Sequence, residues 1–85
     1  MAEYQGEAYV LKTGINDAGR TEVMLKNPIA SANLFERTYV APDAAGKQYL
    51  AIALSAIATN KRVYCRLVDY NTEGTDIGYF GIVSS

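Results

Sequence analysis

Catalysis needs groups that attack, move protons or hold metals, and this chain of 85 residues carries few of them: it has no histidine and one cysteine, Cys65. A zinc or haem site would lack its commonest ligands, and a lone thiol forms no internal disulfide. Ser31, Ser55, Ser84 and Ser85 have no imidazole to take their protons, so no hydrolase triad can be assembled. Cys65 falls in the middle of "RVYCRL" on the face shared with Val63 and Leu67, which reads as a buried, inert thiol, because a reactive one needs access and nearby positive charge. Asp69, Glu73 and Asp76 bracket a turn, but their spacing matches no calcium loop and they read as solvated turn residues. The glycines of "GINDAG" and "NTEGTDIG" are not followed by the lysine and serine of a phosphate cradle, and neither segment stands between a strand and a helix. The expectation is therefore no catalytic residue, no metal and no cofactor, with carboxylate or lysine chemistry the remaining route to an enzyme.

Groups suited to recognition are more plentiful. The chain has seven tyrosines and no tryptophan, rings that are apolar on the face and polar at the tip. Tyr9, Tyr39 and Tyr64 lie within strand patterns and are read as packing residues. Tyr4, Tyr70 and Tyr79, at an end, beside a loop and near the terminus, are the ligand candidates, with Gln5 and Asn71 as polar partners. Lys12, Asp17 and Arg20 around the first hairpin are secondary rim contacts. The eight basic residues are scattered, and the net charge is −1. With Glu7, Glu22, Glu36 and Asp69 interleaved among them, that pattern argues against a phosphate-neutralising surface.

The elements that must position these groups follow from pattern. "EAYVLKTGI" (7–15) and "TEVMLK" (21–26) alternate as strands around the turn "NDAG". Pro28 interrupts the chain and biases Asn27 toward extended geometry, and "LFERTYV" (34–40) supplies a third strand. Pro42 and Asp43 mark a helix entrance in which Asp43 caps the first turn. The helix is predicted over about 44–59, with Asn60 as the left-handed residue beyond its end. It is apolar almost all round. Leu50, Ala53, Leu54 and Ile57 form one stripe, and Tyr49, Ile52 and Ala56 form a second beside it. "RVYCRLVDY" alternates as a fourth strand, and "DIGYFGIV" gives a fifth, where Gly78 and Gly81 signal a bulge, a bend or a close backbone approach.

The whole chain, residues 1–85, reads as one domain, mainly β with one helix: a five-stranded OB-like barrel in the order β-β-β-α-β-β, with an open antiparallel sheet crossed by one helix as the competing arrangement. So short a chain gains from extra burial. Two expectations stand side by side: the helix uses its broad apolar arc simply to plug the barrel, or Leu50, Leu54 and Ile57 face the barrel while Tyr49, Ile52 and Ala56 meet a neighbouring subunit. The N-terminus has neither a basic segment nor an apolar run of signal-peptide length, and no stretch approaches a membrane span. As written the chain reads as cytoplasmic. It is secreted if a signal was removed for expression.

The segment from Gln48 to Val83, with its alanine-rich "YLAIALSAIATNK", its strand "RVYCRL" and its closing "IGYFGIV", resembles the binding subunits of AB-type bacterial toxins of the subtilase-cytotoxin and pertussis-like group. "YQGEAYVLKTG" is weakly similar to that family's opening strand. The resemblance implies an OB fold, a ring-shaped homo-oligomer, usually a pentamer, with helices toward its centre, and recognition of host glycans. The family's usual cysteine pair has no counterpart in "NPIASANLF" and "DYNTEG". Gln5 precedes Gly6 where sialic-acid-binding members place a serine. The reading is a non-enzymatic, self-assembling module that binds a glycan or a partner protein. A single-stranded nucleic-acid binder and a scaffolding oligomer without a small ligand are the alternatives.

Overall fold

Alternation of apolar and polar residues produces five strands, and a run of alanines and larger apolar residues produces the helix that closes them. In the computed structural model, which describes residues 3–28 and 35–83, the strands are β1 (Tyr4–Ile15), β2 (Thr21–Lys26), β3 (Glu36–Val40), β4 (Val63–Leu67) and β5 (Ile77–Ile82). A short 3₁₀ turn, Asp43–Ala45, leads into helix α1 (Gly46–Thr59) between β3 and β4. The strands form one sheet in the order β3-β2-β1-β4-β5, and every strand-to-strand pairing is antiparallel. The fold is thus mainly β with one helix. The expected start of the third strand at Leu34 lies outside the described residues, as do Ser31, Ser84 and Ser85.

β1 is the longest strand because it serves two partners. Its first half, Tyr4–Ala8, pairs with β4, and its second half, from Tyr9 onward, pairs with β2. The hairpin to β2 is made by Asn16, whose Oδ1 accepts the amides of Ala18 and Arg20, both at 3.0 Å. Gly19 supplies the left-handed residue that this turn requires (φ 80°).

The sheet curls, and its inner face is the core. Ala8 of β1, Val23 and Leu25 of β2, Tyr39 of β3, Val63, Cys65 and Leu67 of β4, and Ile77 and Phe80 of β5 are all buried there. Burying each of the larger apolar side chains contributes roughly 1.5–3 kcal/mol. Tyr39 is wholly enclosed, and its hydroxyl donates to the Tyr70 carbonyl at 2.7 Å. Burial pushes its phenol up to about 12 and the Cys65 thiol up to about 12 as well.

The helix lies on this core by a different face from the one expected. Ala53 and Ala56 are buried, and Tyr49 and Ile52 pack against the same cluster. The outward side carries Leu54 and Ile57, which are 53% and 42% exposed. Of the three residues assigned from sequence to a subunit interface, Ala56 lies in the protomer's own core, and Tyr49 and Ile52 pack partly buried against it. The reason is steric: small side chains let a helix backbone approach a sheet, and Tyr49 and Ile52 fill the space on either side. The helix also begins differently from the expected cap. No side chain caps its first turn, and Asp43 instead pairs with Arg20 at 2.8 Å. Its end is as expected, with Asn60 left-handed (φ 55°) and its amide on the Ile57 carbonyl.

The end of β3 meets the residue just before β5 at an isolated parallel bridge, Val40 with Asp76. The Val40 amide donates to the Thr75 carbonyl at 3.0 Å, and the Gly74 amide to the Thr38 carbonyl at 2.8 Å. Arg20 spans this seam. Its Nη2 donates to the Ala41 carbonyl and lies 3.2 Å from an Asp76 oxygen, while Nε meets Asp43. The sheet is otherwise open along these edges. Among the described residues, no helix is long and apolar enough to cross a membrane.

Candidate functional site

Because Val63, Cys65 and Leu67 point inward, Tyr64 and Arg66 must point outward. Register then decides their neighbours. Gln5 of β1 and Tyr79 of β5 flank Arg66, and Glu7 and Gly81 flank Tyr64. The result is an exposed face across β1, β4 and β5 carrying two phenol rings, a primary amide and a guanidinium.

The contacts on this face are specific. The Gln5 Nε2 donates to the Tyr64 hydroxyl at 3.1 Å, which leaves that hydroxyl its own proton to donate and Gln5 its carbonyl oxygen to accept. The Tyr64 and Tyr79 rings meet edge to face, with centroids 6.0 Å apart. Gly78 makes room for the Arg66 guanidinium, since a Cβ there would stand 2.7 Å from Nη2, whereas one at Gly81 would be in ordinary contact with the Tyr79 hydroxyl at 3.4 Å. The guanidinium therefore lies over Gly78, opposite the irregularity in register between β4 and β5. Acidic residues partner both cations of the region: Arg66 with Glu3 at 3.5 Å, and Arg62 with Glu7 at 2.9 Å. The face is amphipathic and nearly neutral, with apolar ring surface beside fixed donors and acceptors.

The five ligand candidates divide between two places. Gln5 and Tyr79 reach the outer face. Tyr4 and Tyr70 turn to the opposite side and pack at the margin of the core with Phe35, at centroid distances of 4.9 and 5.9 Å. The Tyr4 hydroxyl donates to the Glu7 carbonyl at 2.7 Å, and burial raises its pKa. Asn71 is exposed in the β4–β5 turn, its amide held by Asp69 Oδ1 at 3.1 Å. Of the tyrosines expected to pack, Tyr39 does so, whereas Tyr9 and Tyr64 are exposed. Tyr64 and Arg66 share this exposed face but were not placed in a candidate site from sequence. The signal was present in the alternation of "RVYCRL", which places them on the face opposite Cys65. Arg20, read as a rim contact, is committed to the seam between β3 and the segment leading into β5.

Cys65 is buried with no other thiol near it, and among the described residues no group of three or more metal-ligating side chains is gathered. Comparison with protein-family models, with characterised proteins and with solved structures gives no match.

Proposed function

We propose that this chain is a non-catalytic, self-assembling binding module that takes a glycan on the face formed by Gln5, Tyr64, Arg66 and Tyr79. The observation that carries the reading is the hydrogen-bonded and edge-packed trio of Gln5, Tyr64 and Tyr79, exposed on one face of the sheet. A pyranose presents apolar C–H faces and hydroxyl edges, and this trio offers a ring surface for the first and directed polar groups for the second. The architecture we assign is an OB-type barrel whose closing seam is the contact between β3 and the segment leading into β5, the kind of small barrel that commonly serves recognition. Self-assembly is supported by the outward stripe of Leu54 and Ile57 on a helix whose inner face is already satisfied. A second copy of the chain is the occupant we assign to that stripe.

The test is a glycan array probed with the wild-type chain and with Tyr64→Ala and Tyr79→Ala. Binding that persists in high salt and falls about tenfold or more in each variant, with the circular dichroism unchanged, is the expected result. Silence on the array together with steeply salt-dependent binding of single-stranded oligonucleotides would replace this reading with the nucleic-acid one.

A further inference from the structure

A second surface carries a cleft of about 190 Å³, lined by Lys12, Gly14 and Ile15 of β1, Glu22 and Met24 of β2, and Thr38 of β3. A bulge builds it. Val10 pairs with Leu25, but the residue facing Met24 is Lys12, so Leu11 is the extra residue in β1. A regular ladder would set Leu11 opposite Met24 and turn Lys12 toward the core beside Val23. The bulge instead places the ammonium on the outer face. Gly14, opposite Glu22, keeps the floor open, since a Cβ there would meet nothing within 4 Å.

The charges in this cleft are held apart. Lys12 and Glu22 are diagonal neighbours on adjacent strands, a relation that ordinarily favours pairing, yet neither has an ion pair among the described residues. The hairpin turn accounts for the carboxylate: Glu22 Oε2 accepts from Asn16 Nδ2 at 3.1 Å, and Asn16 is itself fixed by the amides of Ala18 and Arg20. One oxygen is thus anchored, and the other is left to a ligand. Met24 adds apolar surface, and Thr38, opposite it, adds a hydroxyl.

We propose that this cleft binds a small zwitterion, a free α-amino acid with a modest aliphatic side chain. Its carboxylate pairs with Lys12, its ammonium with Glu22, and its side chain rests on Met24. A simple anion gains Lys12 but meets the Glu22 carboxylate, and a simple cation meets the reverse, so the dipolar molecule is favoured over either. The cleft, of about 190 Å³ and open to solvent, has room for a small amino acid. The proposal does not rest on the glycan reading.

The test is a ¹⁵N-resolved NMR titration of the whole chain with alanine and valine, beside their N-acetyl and amide derivatives, which lack the cation and the anion respectively. The expected result is movement of the amides of Lys12 to Ile15, Glu22 to Met24 and Thr38, with each derivative at least about tenfold weaker than the parent. Lys12→Gln and Glu22→Gln are each expected to weaken binding by a similar factor. Gly14→Gln, which places a side chain in the open floor, is expected to abolish it while the remaining spectrum stays that of the folded chain. No movement at roughly 20 mM amino acid, equal response to parent and derivatives, or binding that survives Gly14→Gln would overturn the proposal.

Discussion

Gly78 shows how much of the outer face depends on what a residue lacks. A methyl group there would stand 2.7 Å from Arg66 Nη2, and because the atom it meets is the end of a flexible side chain, the guanidinium can swing away. Gly78→Ala is therefore expected to change stability by less than about 1 kcal/mol while lifting Arg66 off the face, which a loss of glycan-array signal without a matching fall in Tm would register. Cys65 and Tyr39 report instead on the interior. Both phenol and thiol have folded pKa values raised by burial, the thiol from 9.0 to about 12 and the phenol from 10.0 to about 12. The unfolded chain releases these protons first, so the stability they contribute is full below pH 9 and is lost as pH rises toward 12. Urea unfolding between pH 8 and pH 12 is expected to show a midpoint that holds to about 9 and then falls, with the onset displaced upward in Cys65→Ala. The state of Cys65 was legible in the sequence, because alternation alone puts it beside Val63 and Leu67. The roles of Tyr4 and Tyr70 were not, since their packing on Phe35 joins segments far apart in the chain.

At the scale of elements, α1 separates what periodicity can decide from what it cannot. The helix and its left-handed end at Asn60 follow from local sequence, as do the bounds of β2 at Thr21 and Lys26. Which side of the helix is inward did not follow. Hydrophobicity ranks Leu50, Leu54 and Ile57 above Ala53 and Ala56, but the closeness of helix to sheet is set by side-chain size, and the alanines win. The bulge at Leu11 was likewise hidden, because "VLKT" fits an uninterrupted strand until its partner fixes the register. Leu54→Glu tests the outward stripe directly. The substitution is expected to leave the fold intact, within about 0.5 kcal/mol for an exposed site, and to reduce the mass found by native mass spectrometry or light scattering to that of one chain. A wild-type chain that is already a monomer at high micromolar concentration would remove the self-assembly part of the function.

For the molecule as a whole, the contact between β3 and the segment leading into β5 is narrow: an isolated bridge and two backbone hydrogen bonds join β3 to residues 74–76, and Arg20 pairs there with Asp43 and Asp76. Both carboxylates are largely exposed, so each pair is worth well under 1 kcal/mol once solvent screening is counted. Arg20→Gln is accordingly expected to lower global stability by about 1 kcal/mol or less, but to accelerate amide exchange at Val40 and Gly74 well beyond that at Cys65 or Leu25. Salt acts on the same pairs, because a Debye length of about 3 Å at 1 M leaves little attraction between exposed charges. High salt is therefore expected to loosen the join between β3 and the β4–β5 turn first, read as faster amide exchange at Val40 and Gly74 while Cys65 and Leu25 stay protected.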